Sequence, residues 1–313
     1  MRKCVGILLV VCLMASSAFA TNSWTASTGS WGTASNWSNG VPNGGEQVKI
    51  LGGTVCDLDV AAGTFTAFKV TVGTAATEAV LNVVDGGSLS SVMEIQVGDA
   101  AKNGRVTQTG GTINLISPAG ASTKLEVGYK ASVGYYTISG GSIVGDATYS
   151  QLQVGASGAS GGNGTFTVQG DGGSISVSKL YVGASTATAQ YTGTGTLAFE
   201  IDGGISAINA GSVYLDPTGI AAAVANLIVT KTGALPGGNI ILINNTGTSG
   251  ITGAFDNIAW GSIIALGGVD YTLTNTYIGG LDGLANDVAL LIPEPATITL
   301  LGLGLFALRR SKK

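Results

Sequence analysis

The sequence predicts an all-β protein built as a parallel β-helix or β-solenoid, with a hydrophobic helix at its C-terminus. Three observations carry the prediction. Glycine fills 51 of 313 positions, about twice the usual share of ~7%, and it is mixed with many Thr, Ser, Val, Ile and Ala. A short strand ending in Val-Gly recurs through the middle of the chain. A Gly-Gly pair recurs between those strands. Glycine supplies the positive φ of tight turns, and β-branched side chains suit a pleated surface. With 45% hydrophobic residues the chain has enough apolar surface to fold rather than stay disordered.

The chain opens with MRKCVGILLVVCLMASSAFA. Arg2 and Lys3 form a basic head, Val5 to Met14 an apolar run, and Ala18-Phe19-Ala20 a small-x-small cleavage site. This is the pattern of a secretory signal over residues 1–20, with a mature start at Thr21. Removing it takes Cys4 and Cys12 away and leaves Cys56 as the single cysteine, so no intramolecular disulfide forms. Cys56 reads as a small buried hydrophobe, with a reactive or intermolecular thiol as the alternative.

Residues 21–49 carry Trp24, Trp31 and Trp37, three of the four Trp. They read as a cap on the open end of a repeat core, because an uncapped end exposes apolar surface. The alternative is a glycan-stacking platform, since flat aromatic faces with a polar handle suit sugars.

Residues 50–216 are the repeat region. FKVTVG (68–73), MEIQVG (93–98), LEVG (125–128), LQVG (152–155) and LYVG (180–183) share one form, and SVYLD (212–216) is a sixth copy without its Gly. Val97, Val127, Val154 and Val182 lie 30, 27 and 28 residues apart. Gly-Gly pairs at 86–87, 110–111, 140–141, 172–173 and 203–204 mark the turns between. Within the Val-Gly strands Leu125 and Val127, Leu152 and Val154, and Leu180 and Val182 face one way, while Lys124 and Glu126, Gln151 and Gln153, and Lys179 and Tyr181 face the other. Alternation of this kind marks a half-buried strand. Leu81, Val83, Tyr136, Ile138, Phe166, Val168, Leu197, Phe199 and Ile201 repeat it before the turns, and Ile113, Ile143, Ile175 and Ile205 follow them. A unit of ~28 residues cannot bury its own apolar face, but stacked copies can. The loop at 155–164 is expected outside the stack. A β-sandwich is the alternative fold, since short strands with turn signals also describe one.

Residues 217–291 read as a C-terminal β region, and 292–313 as a separate tail. Ala296 to Leu308 is a stretch of 13 uncharged residues, ~20 Å as a helix against a hydrocarbon core of ~30 Å. Arg309, Arg310, Lys312 and Lys313 follow, and would keep the end in the cytoplasm. A short membrane span or a buried helix with a solvated tail both fit these residues.

The order of parts resembles the PEP-CTERM sorting signal: Pro293-Glu294-Pro295, an apolar stretch, then a terminal basic cluster, with Ile292 where Val is usual. The resemblance implies that Pro293, Glu294 and Pro295 are recognised by an exosortase, a membrane transpeptidase-like enzyme. It implies a transient or permanent membrane anchor through 296–308, and export to the cell envelope, surface or extracellular matrix of a Gram-negative-type bacterium. Two looser resemblances accompany it. The W…NWS.G.P form of the mature start is similar to the opening of many secreted bacterial repeat proteins. Residues 251–291 resemble the closing segment of autotransporter-associated β-strand repeat proteins at Phe255, Gly267-Gly268, Tyr271 and Asn286-Asp287-Val288, with Leu281 to Ala285 added in the usual turn.

Chemistry is sparse. The sequence has no His, which removes serine-triad and imidazole-metal chemistry. Between residues 21 and 292 stand 8 basic and 17 acidic residues, so nucleic acid is not expected as a partner. Asp57 with Asp59, Glu200 with Asp202, and Asp171 are candidate carboxylates for a glycan-cleaving site, but Asp85, Asp171 and Asp202 each precede Gly-Gly and read as turn formers. GGLDGLAND (279–287) has a single imperfect likeness to calcium-binding Gly/Asp turns, too few oxygen ligands for a site. Asn36, Asn163 and Asn244 head glycosylation sequons. No cofactor or metal is expected. The expectation is a non-enzymatic structural or adhesive protein, with extracellular polysaccharide as a candidate partner. The alternatives are a carbohydrate-active enzyme or a glycan-binding module.

Overall fold

The computed structural model describes residues 19–59, 63–118, 120–157, 161–184, 193–216, 223–278 and 283–293. Among them there is no α-helix. A 3-10 turn covers Ala34–Asn36 and every other regular element is a strand. The strands are β1 (Thr21–Ser23), β2 (Thr28–Ser30), β3 (Gln47–Ile50), β4 (Val55–Leu58), β5 (Thr64–Val72) and β6 (Ala79–Val83). Next come β7 (Ser88–Val97), β8 (Gly104–Leu115), β9 (Thr123–Tyr129), β10 (Val133–Gly145), β11 (Ser150–Ser157) and β12 (Asn163–Gln169). Then follow β13 (Gly173–Val177), β14 (Lys179–Val182), β15 (Thr194–Ile201), β16 (Ile208–Ala210), β17 (Val213–Leu215) and β18 (Val224–Lys231). The last are β19 (Ile240–Asn245), β20 (Thr252–Gly253), β21 (Ile263–Leu266), β22 (Val269–Tyr277) and β23 (Asp287–Leu291).

Pairing is parallel from β1 to β20 and falls into three ladders, consistent with a three-sided β-solenoid. The first joins β2, β4, β6, β8, β10, β12, β15 and β18. It stacks Cys56, Leu81, Val106, Tyr136, Phe166, Leu197 and Leu227 in register, all buried. The second uses the front of β5 and β7, the back of β8 and β10, then β13, β16 and β19. It stacks Phe65, Leu89, Ile113, Ile143, Ile175, Ile208 and Ile243. The third carries the Val-Gly strands, aligning Val70, Ile95, Leu125, Leu152, Leu180 and Val213. Each buried aliphatic or aromatic side chain of this kind contributes about 1.5–3 kcal/mol. Parallel ladders with this register rule out the antiparallel sandwich.

The inward positions read from alternation are buried as expected, with one exception. Ile205 is only partly buried, and Ile208 takes the position paired with Ile175. The turn after Glu200 is longer than its predecessors: Asp202 bridges Gly204, and Gly203 sits at φ +72. Phe199 and Ile208 lie nine positions apart, against seven for their partners Val168 and Ile175, so the next strand is delayed by two residues.

The Val-Gly corners explain their glycines. Gly128 and Gly155 have φ +78 and +64, where side chains are disfavoured. A Cβ on Gly128 would fall 2.4 Å from the carbonyl of Asn163, and one on Gly155 2.0 Å from that of Thr194. The corner therefore presses directly on the backbone of a neighbouring coil. The loop at 155–164 is not wholly outside the stack either. A Cβ on Gly162 would meet the Gly128 carbonyl at 2.0 Å, and Asn163 and Gly164 begin β12. The segment 158–160 lies outside the described residues.

The stack extends beyond 50–216 in both directions. β1 and β2 already pair with β3 and β4, and β18, β19 and β20 form a further coil on β15, β16 and β17. Antiparallel strands then close the end: β23 lies between β19 and β22, and β21 pairs with β22.

Candidate functional site

Near the C-terminal end the last described strand is held on both edges. β23 is a central strand whose Val288, Ala289 and Leu290 are fully buried. Its start is fixed by Asp287, whose Oδ1 accepts the Asn245 N–H at 3.0 Å, and by Asn286, whose Nδ2 donates to the Gly247 carbonyl at 2.7 Å. The single likeness to a calcium turn is thus partly absorbed by end-capping bonds. Residues 279–282 of that stretch are outside the described residues, and no cluster of three or more metal-type ligands exists among the described ones. At its far end the Ile292 N–H donates to Asn239 Oδ1 at 3.0 Å. Ile292 is 41% exposed and Pro293 follows it at the surface. Proline has no N–H to continue a ladder, so the strand ends there. Glu294, Pro295 and the expected helix at 296–308 lie outside the described residues. Among the described residues no helix is long and apolar enough to cross a membrane.

At the other end Ala18 is outside the described residues, while Ala20 is exposed and its carbonyl accepts the Gln47 N–H at 2.9 Å. Cleavage after Ala20 would leave Thr21 as both the mature start and the first residue of β1.

The three Trp are buried: Trp24 and Trp31 fully, Trp37 to 4% exposure. Trp37 meets Trp24 at 5.0 Å and Trp31 at 4.8 Å, edge to face, and its Nε1 donates to the Trp31 carbonyl at 2.7 Å. Rings enclosed in this way present no face to a sugar, so the glycan-stacking alternative at Trp24, Trp31 and Trp37 is withdrawn. The polar residues around them close the first coil's open edge, a role that composition alone did not reveal. Asn36 Nδ2 donates to the Ser30 carbonyl at 3.0 Å, and Asn39 Nδ2 to that of Thr21 at 3.0 Å. The Ser23 N–H donates to Ser38 Oγ at 3.0 Å. Asn36 is thereby tied into the cap rather than displayed as a sequon.

The candidate carboxylates divide into two sets. Asp57 accepts from Asn82 Nδ2 at 2.8 Å, and Asp59 from Ser30 Oγ at 2.9 Å. These bonds run to coils on opposite sides, so the two carboxylates stitch the stack. Asp171, Glu200 and Asp202 do come together. With Ser139, Gln169 and Thr232 they line an open groove of about 510 Å³ at the Gly-Gly turns. Gln169 Nε2 donates to Glu200 Oε2 at 2.7 Å. Asp171 and Asp202 each rest on a glycine of the next coil: a Cβ on Gly204 would lie 2.9 Å from Asp171 Oδ2, and one on Gly233 1.7 Å from Asp202 Oδ1. The same nesting joins Asp85 to Gly110. Turn formation and groove lining are therefore done by the same residues, and no lining residue is cationic.

On the outward side of the Val-Gly strands the polar residues form a ladder. Lys69 pairs with Glu94 at 2.8 Å, and Gln96 Nε2 donates to Glu94 at 3.0 Å and to Glu126 at 2.9 Å. Burial opposes ionisation of Glu94, but the bonds from Lys69 and Glu126 and the charges of Lys69 and Lys124 outweigh it and hold its carboxyl below the usual value. Further along, Tyr181 and Tyr214 stack at 4.7 Å. Inside the core Tyr136 donates to Gln108 Oε1 at 2.5 Å, a polar pair at inward positions that alternation marks as apolar. Cys56 is fully buried, and desolvation followed by the charges of Asp57 and Asp59 pushes its thiol far up.

A family model described as the PEP-CTERM protein-sorting motif matches residues 291–313. This motif implies an exported chain, sorted to the cell envelope through an exosortase and associated with the membrane. No curated protein matches the chain, and no solved structure does.

Proposed function

We propose that this chain, which carries a PEP-CTERM protein-sorting motif at residues 291–313, serves after sorting as a non-enzymatic structural or adhesive solenoid at the cell surface or in the extracellular matrix. The observation that carries the reading is the pairing of that motif with a stack closed at both ends. In it Trp24, Trp31 and Trp37 are spent on the core, and outward polar side chains such as Lys69, Gln96, Asn114 and Asn244 bond to neighbouring coils. Pro293, Glu294 and Pro295 are the recognition residues, and 296–308 is the temporary anchor. The looser resemblances at Phe255, Tyr271 and Asn286-Asp287-Val288 support a surface-repeat role. The test is the intact mass of the protein recovered from each fraction of its own host. A mass ending near Pro293–Pro295 in the envelope or medium supports the reading. A mass that keeps Arg309 to Lys313 sinks the claim of a removable signal.

A second reading has one observation in its favour, the groove that gathers Asp171, Glu200 and Asp202. A glycan-cleaving enzyme needs two carboxyls flanking one bond. Release of reducing ends from acidic and neutral polysaccharides by the native protein, lost in Glu200→Gln and Asp202→Asn, would favour the enzyme over the structural role.

A further inference from the structure

The sorting motif begins inside the folded end of the solenoid. The motif starts at residue 291, while Leu291 is still paired with Thr272 of β22 and Ile292 is still bonded to Asn239. On the other side β23 pairs with β19 through Ile240↔Leu290 and Ile241↔Ala289. The strand has neighbours on both edges, and its interior side chains are fully buried. No residue separates the last fixed amide, that of Ile292, from Pro293.

Enzymes that cut or transfer peptide chains take them extended, with residues on both sides of the bond seated in the enzyme. Here the residues before Pro293 are engaged in a sheet. They become available only if β23 detaches, which would bare Val288 and Leu290 to water. The alternative is that the enzyme works on what lies after Ile292.

We infer that the closed C-terminal cap limits access of the processing enzyme to the sorting motif, so that cap folding and processing oppose each other. The inference rests on the sorting reading above. It assigns β23 a second role beyond closing the core: once docked, it holds the N-terminal flank of the motif away from the enzyme until the strand opens. A chain captured early is processed quickly, and a chain that has closed its cap is processed at the rate at which β23 opens.

The experiment inserts Gly-Ser-Gly-Ser-Gly-Ser between Ile292 and Pro293 in the full chain and follows precursor and product by pulse-chase in the native host. The insertion lies outside the folded cap, so unfolding does not confound it, and an unchanged melting temperature verifies this. A second variant, Asn239→Ala, loosens the strand end without moving the motif. Processing at least threefold faster in the insertion variant, with a smaller gain in Asn239→Ala, is expected. Equal rates in the insertion variant and the native chain would overturn the inference. Replacing Pro293, Glu294 and Pro295 together with Ala separates the two claims: if that change leaves processing intact, the sorting reading itself fails.

Discussion

Asn257 stands in for a strand on the open edge of the last coil: its Oδ1 accepts the Leu227 N–H at 2.9 Å and its Nδ2 donates to the Leu227 carbonyl at 2.8 Å. Asp256 does the same one step earlier, accepting the Ala225 N–H on Oδ2 at 2.6 Å and donating its own N–H to the Ala225 carbonyl at 2.7 Å. An open parallel edge is a template for pairing with another chain. These two side chains occupy that template on β18, as β23 does on β19.

Asn257→Ala therefore has two expected effects. Stability falls by about 1–3 kcal/mol, because a backbone donor and acceptor lose their partners. Self-association rises, because the edge of β18 becomes available. Thermal unfolding and light scattering check the two separately. A variant that remains monomeric and fully stable would contradict the capping role.

Trp37→Ala removes the ring that bridges Trp24 and Trp31. A buried Trp replaced by Ala costs about 3–5 kcal/mol, and here the loss falls at the end of the stack. The denaturation midpoint drops, and amide exchange at β1 and β2 speeds up more than at the central coils.

Ala101 carries φ +66 in a tight turn beside Ala100 at +49. Alanine is strained there and glycine is not. Ala101→Gly is expected to raise stability by up to about 1 kcal/mol, despite glycine's greater freedom in the unfolded chain. Chemical denaturation measures it, and a clear loss of stability would refute the argument.

Glu94 sets a pH response. Its folded carboxyl titrates below the ordinary value of 4.5. A depressed pKa means that the stabilisation is fully present above the unfolded value and is lost as pH falls through the folded one. Melting temperature should decline more steeply below pH 4.5 in the native chain than in Glu94→Gln, with both flat in this respect near neutrality. Parallel acid curves would show that Glu94 adds nothing.

Cys56 is enclosed, and its thiol is held in the neutral form. Only the thiolate reacts readily. Thiol reagents should leave the native protein unlabelled and label it stoichiometrically after unfolding. Rapid labelling of the folded chain would restore the reactive-thiol alternative.

Much of this architecture is local, and the sequence by itself determined it. Alternation of apolar residues named the inward face of each strand from Leu81 to Val182, because the side-chain period of a strand is two. Gly128 and Gly155 marked the corners, because only glycine tolerates their φ and the contact behind it. The sorting motif at 291–313 was legible because such signals are read as linear segments. Tertiary structure decided what depends on register between distant segments. Ile208 rather than Ile205 meets Ile175, because the connection through Asp202–Gly204 is two residues longer than that of the coil before it. Asp171, Glu200 and Asp202 share a groove, because parallel stacking sets residues of successive coils about 4.8 Å apart. Asn36, Asp256 and Asn257 cap edges only where the chain folds back over the first and last coils. No local pattern distinguishes such residues from loop polars, because their partners are backbone groups that become unpaired only when the stack ends.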